Sequence, residues 1–141
     1  MARMAKRTGK VCLDTDIVID YLRKTKETEN LINKLFSRFS DTTITIITVY
    51  ELLIGVEYSD GRGRNDVEEI INIITILPFD VKASREAAKI TAELKKSGQQ
   101  IGIADELIAA ICKTHNTCLL TKNVSHFQRI RNLKVIGLNE I

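Results

Sequence analysis

The sequence predicts an α/β fold in which a parallel sheet is covered by helices on both faces. Three observations point there. Residues 11–14 open the chain's ordered part as a short, wholly apolar run ending in Asp14, as expected of a strand buried on both faces. Residues 42–47 are β-branched throughout and read as a second strand. Stretches with helical spacing of apolar residues alternate with such runs along the rest of the chain, the pattern of helical crossovers between parallel strands.

Taken in order, residues 1–9 read as a flexible basic leader, and residues 10–141 as one domain. After the first strand a helix begins near Asp16 and runs through Ile17, Ile19, Tyr21 and Leu22. A second helix is expected over 27–39, with Leu31, Ile32, Leu35, Phe36 and Phe39 as its inner stripe. The strand over 42–47 leads into a helix from about Thr48. The turn at residues 60–63 precedes a helix over 65–73 and a strand over 74–79. A helix over 83–96 turns Ala87, Ile90, Thr91 and Leu94 inward and ends at Ser97 and Gly98. A helix over 103–115, a strand over 117–121 and a strand over 134–138 complete the chain.

At 141 residues with 44% hydrophobic content and a single Pro, the chain can build one substantial core. Its net charge of +3 permits a nucleic-acid partner without requiring one. Basic residues do cluster at the two ends, with Arg3, Lys6, Arg7 and Lys10 at one and Lys122, Arg129, Arg131 and Lys134 at the other. Such runs are ordinarily solvated tails and helix faces. Cys12, Cys112 and Cys118 are odd in number, lack a C-x-x-C pair and sit in apolar contexts, so they read as small buried hydrophobes in a reducing compartment. His115 and His126 have no zinc-type spacing. No apolar run approaches the ~18 residues of a membrane span, which leads us to expect a cytoplasmic protein.

Three acids stand out. Glu51 is the only charged side chain between Asp41 and Glu57. On a helix it shares a face with Ile54, Gly55 and Tyr58, and Asp105 likewise shares one with Ile108, Ala109 and Cys112. Glu106 lines up instead with Ala110 and Lys113, so Asp105 is expected to point inward and Glu106 outward. No Lys or Arg occupies the Glu51 or Asp105 face. A buried, unpaired carboxylate costs several kcal/mol (order of magnitude), so these groups are protonated, paired with a base, or gathered around a cation. In a parallel sheet the ligand crevice lies beyond the carboxyl ends of the strands, where Asp14 ends one strand and Glu51 opens the following helix. Asp105 would reach it from a helix N-terminus, while Asp16 reads as a helix N-cap. Oxygen ligands without His or Cys suit Mg²⁺ or Mn²⁺ and the hydrolysis of phosphodiesters.

Four blocks in register carry a resemblance: LDTDIVIDYL (13–22), TVYELLIG (48–55), IGIADELIAA (101–110) and LTKNVSHF (120–127). Together they closely resemble the PIN-domain family, and within it the VapC-type toxins of toxin–antitoxin pairs, over residues 11–138. The resemblance implies a three-layer sandwich with a central, mainly parallel five-stranded sheet. It also implies a Mg²⁺- or Mn²⁺-dependent endoribonuclease, usually a homodimer, restrained by a VapB-type antitoxin. Residue by residue, Asp14, Glu51 and Asp105 match the family's acidic metal ligands, and Thr15 matches the hydroxyl residue supporting the first acid. Thr121, in the last block, is taken as a further supporting residue, and in that block many members place a fourth acid where this chain has Asn123. An amide oxygen there could still coordinate, but without charge. Asp16 could supply an extra carboxylate.

Two other readings compete. Asp14-Thr15-Asp16 after an apolar strand also resembles the opening of haloacid-dehalogenase-type phosphotransferases, though that scheme leaves Glu51 unused. A non-catalytic RNA- or antitoxin-binding module with a decayed site has only Asn123 in its favour.

Overall fold

The computed structural model describes residues 9–24 and 26–141. The leader expected over 1–9 thus lies outside the described residues except for Gly9, whose carbonyl accepts from the Ser40 N–H and hydroxyl at 3.2 and 3.0 Å.

The elements are β1 (Lys10–Leu13), α1 (Thr15–Leu22), α2 (Lys26–Arg38), β2 (Asp41–Thr45), α3 (Ile46–Tyr58), α4 (Arg64–Ile73), β3 (Thr75–Leu77), α5 (Val81–Lys96), α6 (Ile103–Thr114), β4 (Cys118–Leu120), α7 (Val124–Phe127) and β5 (Val135–Ile136), with a 3₁₀ turn at Leu138–Glu140. The five strands lie in the order β3-β2-β1-β4-β5, and every pairing is parallel. The chain builds to one side from β1 through β2 to β3, then crosses back to place β4 on the other side. Between β1 and β4 the order reverses, and in such sheets the ligand crevice opens there.

Alternation along the strands sorts the core into two layers. Val11 and Leu13 of β1 join Ile44 and Leu120 under α1 to α4, while Cys12, Leu119 and Leu77 face α5 and α6 on the other side. The three cysteines are buried and free.

Local signals decide where the helices begin. The Thr45 hydroxyl accepts from the Thr48 N–H at 3.2 Å, so α3 starts at Ile46, and the β-branched residues 46–47 expected to prolong the strand are helical instead. Asp80 caps α5 through the Ala83 N–H at 2.9 Å, two residues ahead of the expected start. The short helix α7 was not foreseen.

Two facing assignments need correction, one inward and one outward. Phe36 is 56% exposed, while Leu35 of the same helix and Phe39 just after it are buried, so Phe36 belongs to the outer margin of the α2 stripe. Glu106, expected to face solvent, is 4% exposed. A helical-wheel argument with one buried face fails because α6 is covered on two sides, by the sheet and by α5. The α5 face supplies Glu106 with the Thr91 hydroxyl as donor at 3.4 Å.

Candidate active site

Asp14 follows β1 directly. Its N–H donates to the Leu120 carbonyl at 2.9 Å, carrying the β1–β4 ladder one residue further and fixing the side chain over the switch point. Both carboxylate oxygens are engaged: Oδ1 accepts the Thr15 N–H at 2.8 Å, and Oδ2 accepts the Thr121 hydroxyl at 2.7 Å. Asp14, not Asp16, is therefore the N-cap of α1.

Asp16 stands in the first turn of α1. Its Oδ2 accepts the Lys122 N–H at 3.1 Å, whereas its Oδ1 is buried with no hydrogen-bond partner among the described residues. Glu51, on α3, accepts the Thr15 hydroxyl at 2.7 Å, and the Thr48 hydroxyl lies 3.0 Å from that of Thr15. With its proton committed to Glu51, Thr15 receives that of Thr48. Thr15 thus serves Asp14 through its backbone and Glu51 through its side chain, a different division from the expected support of the first acid alone.

Asp105 opens α6. Its Oδ2 lies 3.3 Å from His126 Nε2, which is also 2.7 Å from the Ile101 carbonyl. A carbonyl only accepts, so Nε2 carries a proton. Asn123 stands apart: it is exposed, and its backbone N–H, not its amide side chain, joins the network by donating to Thr121 Oγ1 at 3.0 Å.

The acids feel one another. Burial pushes the Asp14 carboxyl up from its ordinary range to about 7; the Thr121 hydrogen bond partly offsets this, and the charges of Asp16 and Asp105 reinforce it. Asp16 is raised chiefly by burial, against the Lys122 N–H. Asp105 is also raised by burial, with His126 opposing and Glu51 and Asp16 adding to the shift.

Among the described residues no three acidic, His or Cys side chains close around one point as a ready metal cage. The donors nevertheless fit a hard divalent cation. They are carboxylate oxygens, those of Asp14, Asp16 and Asp105 with raised proton affinity, and the buried Asp16 Oδ1 lacks a partner. Lys122, the nearby ammonium, is engaged by Asp20 at 2.9 Å.

Sequence reasoning missed Thr48, Lys122 and His126. Thr48 was legible, three residues ahead of Glu51 on the same helical face. Nothing local marked the other two, because they arrive from the β4–α7 segment through the sheet's topology.

The PIN-domain model matches residues 11–133, so the chain belongs to the PIN-domain family. Among curated relatives, "Ribonuclease VapC1" of Rickettsia felis is 35% identical over 90% of this chain and 95% of its own length. The "tRNA(fMet)-specific endonuclease VapC" of Salmonella typhimurium is 29% identical over 89% and 96%. Among solved structures, DNA-bound VapBC from Salmonella typhimurium superposes with a TM-score of 0.81 at 28% identity, covering 93% of this chain and 99% of that one. VapBC2 from Rickettsia felis bound to promoter DNA gives 0.77 at 26% identity, covering 91% and 98%. This membership removes the support for the phosphotransferase reading of Asp14-Thr15-Asp16.

Proposed function

We propose that this chain is a Mg²⁺- or Mn²⁺-dependent endoribonuclease acting as the toxin of a toxin–antitoxin pair, with Asp14, Glu51 and Asp105 as metal-holding carboxylates. The observation that carries the reading is the gathering of these acids, with Asp16, at the switch point between β1 and β4. A divalent cation there supplies an activated water and neutralises charge in the in-line displacement at phosphorus. The chain's own groups prepare that chemistry. Thr121 and the Thr15 N–H fix both oxygens of Asp14, the Thr48–Thr15 relay fixes Glu51, and His126 orients Asp105. Without a cation the site retains a proton on Asp14 up to near neutrality.

The relatives' names and the VapBC complexes support the ribonuclease and the VapB-type antitoxin. An antitoxin segment can present an Arg or Lys to the carboxylates, competing with the metal by charge-assisted hydrogen bonds. No described helix is long and apolar enough to cross a membrane, and a cytoplasmic location fits an RNA substrate. The single domain is taken to span residues 10–141. A homodimer is supported by Ile46, Tyr50, Ile54 and Tyr58, exposed at every fourth position of α3. Phe39, which follows α2, is buried and lies outside such a contact.

Cleavage of RNA by the wild type and by Asp105→Asn in Mg²⁺ tests the assignment: the variant should lose activity by at least about 100-fold. Native-rate cleavage by the variant would overturn the site. A wild type that binds RNA without cutting it in either metal would favour the non-catalytic module.

A further inference from the structure

A cavity of about 400 Å³ lies between α1 and α2, lined by Asp20, Arg23, Glu27, Lys34 and Lys122 among others. Its polar wall joins the acidic centre through Lys122, whose N–H holds Asp16 while its ammonium reaches Asp20 at 2.9 Å on the cavity side. Asp16 and Asp20 are one helical turn apart, so Asp20 on the cavity wall stands about 6 Å along α1 from Asp16 at the edge of the acidic centre. The Thr28 hydroxyl donates to the Asp20 carbonyl at 3.0 Å and pins α2 against α1 there. Glu27, Leu31 and Lys34 recur along one face of α2 and line the cavity together.

The lining carries an excess of one positive charge, with Arg23, Lys34 and Lys122 against Asp20 and Glu27. Lys122 is engaged by Asp20, and among the described residues Arg23 and Lys34 have no carboxylate partner within ion-pair distance. Two exposed cations at the rim of a polar cavity, one turn from an acidic centre, complement an anion that must also reach that centre. A lone acidic pocket repels an RNA strand, and cations beside it offset that repulsion while leaving the carboxylates to the metal.

We propose that this cavity binds the ribose-phosphate backbone of the RNA strand next to the scissile phosphate, with Arg23 and Lys34 as its phosphate contacts. This rests on the nuclease reading above. It assigns strand positioning to α1 and α2, separate from the chemistry at the sheet edge. Backbone contacts of this kind hold the strand without reading its sequence.

The test measures binding of a labelled single-stranded RNA in EDTA, where cleavage is suppressed, across a salt series. Arg23→Ala/Lys34→Ala is compared with wild type and with Arg62→Ala/Arg64→Ala, which removes the same charge beyond the far end of α3. The cavity variant should weaken Kd about ten-fold at low salt and reduce the slope of log K against log salt by about 1.4, two phosphate contacts on a single strand. The control should leave both nearly unchanged. In Mg²⁺, KM should rise while kcat at saturating RNA stays within about two-fold. Unchanged affinity and slope in a variant that melts like wild type would overturn the proposal, as would losses of the same size in the control. So would retained RNA binding with lost affinity for the antitoxin, which would make the cavity a protein-docking site. Failure of the nuclease reading shows separately, as no metal-dependent cleavage by the wild type at all.

Discussion

The Thr121 hydroxyl donates to the Asp14 carboxylate at 2.7 Å, joining the residue that follows β4 to the residue that follows β1. These positions are 107 apart in sequence and adjacent only because the sheet reverses its order between those two strands. The bond also opposes the burial that drives Asp14 toward its neutral form. Thr121→Val keeps the shape and removes the donor. Asp14 should then hold its proton to higher pH, and Mn²⁺ affinity by calorimetry should fall about ten-fold at pH 7 and recover as the pH is raised to about 8.5, since the cation needs the ionised carboxylate. A loss of equal size at both pH values would mean that Thr121 shapes the pocket without tuning Asp14.

The raised Asp14 pKa has a defined effect on metal-free stability. The unfolded chain ionises this group near 3.8 and the folded protein near 7, so between those values unfolding releases a proton. The stabilisation is therefore complete below about pH 4 and is lost as pH rises through about 7. A shift of that size corresponds to something on the order of 4 kcal/mol. In EDTA the melting temperature should fall from pH 5 to pH 8, and Asp14→Asn should flatten the fall and melt higher than wild type at pH 8. Parallel curves for the two proteins would show that Asp14 is not the group responsible.

Much of this site was legible in the sequence, for identifiable reasons. Asp14 closes an apolar strand, and Glu51 is alone among uncharged neighbours, so local pattern sufficed to single them out. Glu106 was misplaced because a one-faced wheel cannot represent a helix packed on both the sheet and α5. Asp16 read as a cap because it is an acid at a helix start, whereas the β1–β4 ladder puts Asp14 at that position and leaves Asp16 Oδ1 buried without a partner. His126 depends on a crossing between α7 and the Ile101 loop that no spacing encodes.

The contrast between Asp16 and Asn123 is open to direct measurement. Asn123 lies where many PIN-domain chains place an acid, but it is exposed and reaches the network only through its backbone. Asp16 adds its charge to the fields at both Asp14 and Asp105. Asp16→Asn should lower Mn²⁺ affinity by about ten-fold or more, while Asn123→Asp should change it by less than about three-fold. The reverse ranking would return the fourth acidic position to residue 123.

The final prediction concerns assembly. Ile46, Tyr50, Ile54 and Tyr58 are 41, 64, 47 and 91% exposed and lie along one i, i+4 ridge of α3. Large apolar side chains rarely line up in this way on a monomer's surface without a partner. A two-fold axis across α3 would set the same ridge of two copies into each other's grooves, the self-complementary contact of a symmetric dimer. Ile54→Lys places a charge in the middle of that ridge, which a dimer would have to desolvate and a monomer would not. By light scattering, wild type should have twice the mass of the chain and Ile54→Lys the mass of one chain, with melting of the dilute monomer little changed. Phe36→Lys, on α2, should leave the dimer intact. Dissociation by Phe36→Lys and not by Ile54→Lys would move the interface to α2 and leave the α3 ridge for another partner.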